Sequence, residues 1–593
     1  MERSLAQPTH QDIASYDSDA ERRELKYGKN YKWIVLSNTT LGALMASIDA
    51  SIVLISLPAI FNGLGVNPLV AANISLLIWM LLGYIIISAV IIVSVGRFAD
   101  TFGRVRLYNL GFIIFAIAST LIWISTYLFH GPMGALSIIL LRMVQAFGGA
   151  FLAANSAAML TDAFPHNERG MALGINGIAF AGGSAIGLIV GGILAAIDWH
   201  LIFLISVPVG IVGAIWSYFA LHEIATIKKG RKLDVSGNIT FAISIGLILI
   251  SITYALLPYG TADTGWMNPV VLGGLAAGLV LFVVFIFIEF RAPDPMFQLR
   301  LFKRRNFSLS MISLFLSTAI RFGLQFAIII WLQGVWLPLH GISFENTPLL
   351  AAIYMLPLTL GFVVLGPLSG KLSDKYGPRI FATVGMLVNA AAFLLLAALP
   401  IDFSLVPFLV ITFVLGLGQG IFLSPNIASI MNSLPPEQRG TGSGMRSTFM
   451  YVAMMFSMII FFTLIVVGLG GTLPSAIYSG LVSKGVTTAD AVNASNISPT
   501  AALFAAFLGY NPLKTILPQS LFHHINATQA NTITGTEFFP KLISKPFSDG
   551  IHIVLYISAA LALVAALASA LMGKNDIYGV VESVHKGKSV NEP

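Results

Sequence analysis

From Trp33 onward the chain is written in long apolar runs separated by short polar connections. About 20 apolar residues, rising ~1.5 Å each in a helix, cross the ~30 Å of hydrocarbon in a bilayer. The runs therefore predict membrane-spanning helices. Six fall near 33–61, 73–95, 107–129, 133–160, 170–197 and 201–221, and two near 238–258 and 268–290. Six more fall near 307–336, 347–369, 380–400, 404–430, 440–468 and 551–572. Residues 1–32 and 573–593 read as polar tails. Leu469–Gly550, rich in Ser, Thr and Asn, predicts a long loop that the bundle does not need in order to fold. Its apolar stretch Thr500–Leu508 is too short to span and predicts a surface helix.

Charged residues make up only 10% of the 593 and hydrophobic ones 56%, with a mean hydropathy of +0.85. A soluble domain carries roughly 25% charged residues. The fold class is thus an all-α polytopic membrane protein. The absence of cysteine excludes disulfides, thiolate metal sites and cysteine nucleophiles. The net charge of +7 does not point to nucleic acid, because the basic residues sit in short loops between apolar runs. Six lie in the first 32 residues, and the rest of that set falls on alternate loops, while the opposite short loops have none. By the positive-inside bias both termini are expected in the cytoplasm and Leu469–Gly550 outside. The loop's Asn493, Asn496 and Asn526 head glycosylation sequons. The first apolar run is too long for a signal-peptide core, so no cleavage is expected.

Two of the basic loops are near copies. Gly96-Arg-Phe-Ala-Asp100-Thr-Phe-Gly103-Arg104-Val-Arg106 closes the second run. Gly370-Lys-Leu-Ser-Asp374-Lys-Tyr-Gly377-Pro-Arg379 closes the tenth, 274 residues later. A second marker repeats at nearly the same offset: Asn167-Glu-Arg169-Gly170 before the fifth run and Glu437-Gln-Arg439-Gly440 before the thirteenth. Two markers at one offset predict two related halves. The seventh and eighth runs have no counterpart, which leaves six plus six around two linker helices. The expected organisation is a tail (1–32), a first bundle (33–221), a linker pair (222–306), a second bundle (307–572) that includes the loop 469–550, and a tail (573–593).

The chemistry sits on charges inside these runs. Asp49 lies well within the first, where an ionised side chain costs several kcal/mol unless paired, hydrated or protonated. It is a candidate to carry a proton, or else a hydrogen-bonded structural aspartate. Arg142, with Gln145 one turn on, lies within the fourth run. An arginine keeps its proton, so it either tunes a neighbouring carboxylate or ties helix ends together. In the fifth run Gly182-Gly183-Ser-Ala-Ile-Gly187-Leu188-Ile-Val-Gly191-Gly192 lets a neighbouring helix approach closely. Arg321, with Gln325 one turn on, is a second buried cation, free to neutralise Asp49, to contact an anionic substrate or to reach an interface. Counting ~1.5 Å per residue puts Asp49 and Arg321 ~24 and ~21 Å from the basic end, which allows a pair between halves. No metal-binding, nucleophile or phosphate-loop motif is present in the sequence, and direct ATP drive is not expected.

The paired loops resemble the signature loop of the major facilitator superfamily and its repeat. Asp49 in its helix, Arg142 in Leu-Arg142-Met-Val-Gln145, and the Gly183–Gly192 stretch are similar to motifs of its fourteen-helix drug:proton antiporter branch. Leu188 stands where that branch has a proline. The resemblance implies a secondary active transporter that exports amphiphilic or drug-like molecules in exchange for protons, with no cofactor and no metal, acting as a monomer in the cell membrane. Its partners would be the small-molecule substrate, protons and the lipid bilayer. It assigns proton coupling to Asp49 and Arg142. No motif of the family falls at Arg321; Asp49, Arg321, Gln145 and Gln325 are expected at the substrate cavity or gate. Gly183, Gly187, Gly191 and Gly192 form the antiporter-like helix. Gly96, Asp100, Gly103, Arg104, Gly370, Asp374, Gly377 and Arg379 form the conformational-switch loops. Each loop aspartate is then expected at the helix start of the other half, Asp100 near 440–443 and Asp374 near 169–172. Two other readings stay open: a proton-coupled carrier of a specific, anionic metabolite, and a transporter-like receptor without flux.

Overall fold

The computed structural model describes residues 28–67, 70–165, 168–224, 234–260, 262, 264–292, 295, 297–434, 439–518 and 525–573. Among them are 14 helices long and apolar enough to cross a membrane. The first six are α1 (Tyr31–Leu64), α2 (Ala71–Phe102), α3 (Arg104–Leu128), α4 (Gly131–Ala163), α5 (Arg169–Ile197) and α6 (Leu201–Ala220). Then come α7 (Val235–Tyr254), α8 (Pro269–Arg291), α9 (Arg305–Leu339) and α10 (Thr347–Tyr354 continued by Leu356–Tyr376). The last are α11 (Pro378–Ala397), α12 (Leu405–Asn432), α13 (Arg439–Val482) and α14 (Phe538–Ala570). Local sequence sets several of the starts. Asp234 caps α7 by accepting from the Gly237 N–H at 2.8 Å, and α8 opens on Asn268–Pro269. A side-chain cap followed by proline suits the first turn, whose N–H groups have no helical partner.

Helices α1–α6 pack chiefly on one another, as do α9–α14, and the halves meet where α2 lies on α13 and α5 on α10. The extra pair α7 and α8 lies outside this arrangement, against α2, with Trp79 edge-on to Tyr254 at 6.4 Å. Val270, Val280, Phe287 and Phe290 of α8 stay exposed. An apolar helix that packs on so little protein fits a lipid-facing position.

The long loop departs from expectation. Helix α13 runs on to Val482, α14 begins already at Phe538, and four short helices lie between them. Pro499–Phe507 is no surface helix: every residue from Thr500 to Leu508 is buried. Phe504 stacks near Phe462 of α13 at 5.2 Å. The Leu508 carbonyl accepts from Asn62 of α1 at 3.2 Å. A methyl group on Gly334, in a π-helical turn of α9, would meet the Phe507 nitrogen at 3.2 Å. A nine-residue helix with no polar face gains most by burial on all sides. The loop therefore covers the bundle's loop end by touching both halves, and it is not the peripheral segment its composition suggested.

At the opposite, basic end the repeated loops are mostly helix. The turns are made by Gly103 and Gly377, whose φ of +99° and +86° a side chain would strain. Gly96 and Gly370, expected in the conformational-switch loops, stay helical instead. Gly96 faces the other half: a methyl group there would sit 4.0 Å from the Gly444 Cα of α13, an ordinary contact distance. Arg104 pairs with Asp162 at the end of α4. Glu223 accepts from the Val105 N–H at 3.0 Å, and burial holds its carboxyl above the usual range. Lys32 of α1, expected in the tail, meets Glu168 at 2.6 Å. Arg379 is exposed. The side chains of Asp100 and Asp374, and of positions 169–170 and 439–441 opposite them, lie outside the described part of the structure, as do residues 1–27 and 574–593 of the tails.

Candidate functional site

Asp49 sits at the middle of α1, 1% exposed, and its partners come from its own half. One carboxylate oxygen accepts from the Arg142 guanidinium at 3.3 Å and the other from the Gln145 amide at 2.8 Å. Gln145 also donates to Ser119 of α3 at 2.8 Å, and Arg142 lies over the Tyr84 ring of α2 at 5.4 Å. Arg142 and Gln145 reach the same carboxylate because residues three apart share a helix face. The pair between Asp49 and Arg321 does not form. Similar depth on two helices leaves their rotation open, and α1 turns Asp49 toward α4.

The glycine stretch of α5 locks this helix against α1. Methyl groups on Gly183, Gly187 and Gly191 would run into Leu44, Ser47, Ile48, Ser51, Ile52 and Ile55 of α1, while Gly192 faces Leu349 of α10. Two hydroxyl groups tie the seam: Ser56 donates to the Gly191 carbonyl at 3.0 Å, and Ser47 to that of Phe180. Leu188, in place of a proline, is buried and keeps its backbone N–H.

Between the halves, in the part of the bundle nearer the basic end, lies a partly open cavity with about 1100 Å³ of empty space, the part open to solvent included. Its first-half wall includes Gly42, Ala46, Leu152 and Phe180; its second-half wall includes Phe322, Leu423, Met450 and Met454. Only two of the lining residues are charged, Arg321 of α9 and Arg446 of α13. Arg321 and Gln419 also line a smaller neighbouring pocket, together with Ser184 and Gln325. Gln325 there donates to Ser184 of α5 at 3.3 Å.

The four residues expected at the cavity or gate therefore separate. Arg321 lines both cavities and Gln325 the smaller one. Asp49 and Gln145 are absent from either wall and belong to the closed cluster of the first half. The cluster is still near, since Ala46 lines the cavity one turn before Asp49 on the same helix. Arg446 was missed. Its signal was a full charge seven residues into the thirteenth apolar run, the same anomaly that marked Asp49 and Arg321.

Two helical halves with a repeated loop, closed around a central cavity and flanked by lipid-facing helices, define a membrane transporter of the two-bundle class. The Major Facilitator Superfamily model matches residues 39–458, and the chain belongs to that family. It is 30% identical over 423 residues to the riboflavin transporter RibZ of Clostridioides difficile, covering 70% of this chain and 84% of that protein. It is 27% identical over 547 residues to the tetracenomycin C resistance and export protein of Streptomyces glaucescens, 90% of each chain. A bacterial homolog of the human lysosomal transporter Spinster, solved inward-facing and unoccupied, shares the fold at a TM-score of 0.51 and 15% identity over 92% of this chain and 99% of that one.

Proposed function

We propose that this transporter exports an amphiphilic small molecule across the cell membrane in exchange for protons, by alternating access, with both termini in the cytoplasm. The observation that carries the reading is the buried Asp49–Arg142–Gln145 cluster, one turn along α1 from the cavity wall. A proton arriving at Asp49 cancels the charge that Arg142 pairs with. The guanidinium then loses its partner in a dry site, where an uncompensated ion costs several kcal/mol. Helices α1 and α4 carry both this cluster and part of the cavity wall, and α5 is locked to α1 along the glycine seam. A local change in pairing is thus coupled to the position of the whole wall. The turns at Gly103 and Gly377 act as latches at the basic end, where α2 meets α13 at Gly96 and Gly444. Tetracenomycin C and riboflavin, the compounds named for two relatives, are amphiphilic ring systems, which supports the substrate class.

The test is flux in proteoliposomes with an acidic interior, using dansylglycine (anionic), dansylamide (neutral) and dansylcadaverine (cationic). At least one should accumulate against its own gradient as protons leave, beyond its uptake by protein-free liposomes under the same gradient, and collapse of the pH gradient should abolish it. Asp49→Asn should lose accumulation yet keep downhill exchange. An Asp49→Asn variant that still concentrates the probe at the wild-type rate would remove Asp49 from the coupling.

A further inference from the structure

Among the described residues the cavity wall has two cations and no anion. Neither Arg321 nor Arg446 has a carboxylate partner among the described residues. Arg321 is bounded by the faces of Phe322 and Phe362, at 5.6 and 5.3 Å from the ring centroids. Arg446 donates a weak hydrogen bond to the Met450 sulfur at 3.3 Å and lies near Tyr451, and its Nε has no partner among the described residues. The Asn176 amide nitrogen, across the cavity on α5, is also without an acceptor. Every one of these unmet groups is a hydrogen-bond donor. Buried donors without acceptors are costly, and charged ones most of all, so the site is complete only when something supplies negative oxygen atoms. Chloride or water would meet part of that need but would leave the apolar wall of Leu152, Phe180, Leu423 and Met454 unused.

We infer that the cavity binds amphiphilic organic anions, with a carboxylate- or sulfonate-like group held by Arg321 and Arg446 and an apolar ring body against the facing walls. This rests on the transporter reading only in treating the cavity as the transport site. Along their helices the two arginines lie at different depths, ~24 Å from the start of α9 for Arg321 and ~10 Å from the start of α13 for Arg446. An anion entering from the basic end meets Arg446 first and Arg321 deeper in. Planar guanidinium groups suit this task, since each can hold two oxygens of one anionic group. The first half contributes no charge to the wall because its own arginine is already occupied by Asp49.

The experiment measures binding of the three dansyl probes to the full-length protein in phosphatidylcholine nanodiscs, by energy transfer from tryptophan. Dansylglycine should bind about 10- to 100-fold more tightly than dansylamide, the range expected for a hydrogen-bonded charge, and dansylcadaverine more weakly than either. Arg321→Gln and Arg446→Gln should each remove most of that preference while leaving dansylamide affinity within about threefold. Arg→Lys at either position should keep part of it. The selectivity of the wild-type protein alone decides the matter if a variant fails to fold: equal or tighter binding of dansylamide or dansylcadaverine overturns the inference. Adding phosphatidylglycerol to the discs separates the sources of anion. If dansylglycine binds in neutral discs and the lipid competes only weakly, the site takes a soluble anion; if dansylglycine never binds and the lipid alone protects the site, a lipid head group is the occupant and the inference fails. Gradient-driven flux of dansylcadaverine without anion binding would sink this inference and leave the transporter reading intact. Anion binding with no gradient-driven flux of any probe would do the reverse.

Discussion

The two halves repeat one another in fold but treat their buried cations differently. In the first half Arg142 is 3.3 Å from Asp49 and shares it with Gln145, so the charge is closed within the protein. In the second half Arg321 and Arg446 face a cavity with no carboxylate on its wall among the described residues. On the proposed reading the closed pair holds and releases a proton and the open cations take up an anion, so one residue type does different work depending on whether its own chain supplies the counter-charge.

The largest expected effect comes from breaking the closed pair. Arg142→Met leaves Asp49 uncompensated and should cost about 3–5 kcal/mol of stability. Thermal denaturation in one detergent at neutral pH should show it, and adding Asn at position 49 in the same chain should restore most of the loss. An Arg142→Met protein as stable as wild type would mean that water or another group already serves Asp49. The open cations should behave in the opposite way. Arg321→Met and Arg446→Met should change stability by no more than about 1 kcal/mol, or raise it, because each removes an unpaired charge from a largely apolar setting. A loss as large as that of Arg142→Met would show that a counter-charge exists for them after all.

Much of this could be read in one dimension. The fourteen spans followed from run length, since hydrocarbon thickness fixes helix length. The halves followed from Gly103 and Gly377, which recur because each makes the same positive-φ turn. The pairing of charges did not follow. Asp49, Arg142 and Arg321 stood out by burial, yet which two meet depends on helix rotation, and two depths counted along helices carry no rotation. Gly96 sat in the loop motif but lies within α2 facing Gly444, a place visible only once α13 lay beside α2. Thr500–Leu508 was misread because its polar surroundings outweighed its own uniform apolarity. A helix without a polar face has nothing to show to water.

If protonation of Asp49 and occupancy of the cavity are linked through α1 and α4, binding releases protons. The dansyl probe that binds most tightly is added to purified protein in a weakly buffered solution with a pH indicator. Wild type should release protons as the probe binds, and by reciprocity the probe should bind more tightly as pH rises. Asp49→Asn should bind the probe and release none. Equal proton release from wild type and Asp49→Asn, or none from wild type at any pH where the probe binds, would contradict the account.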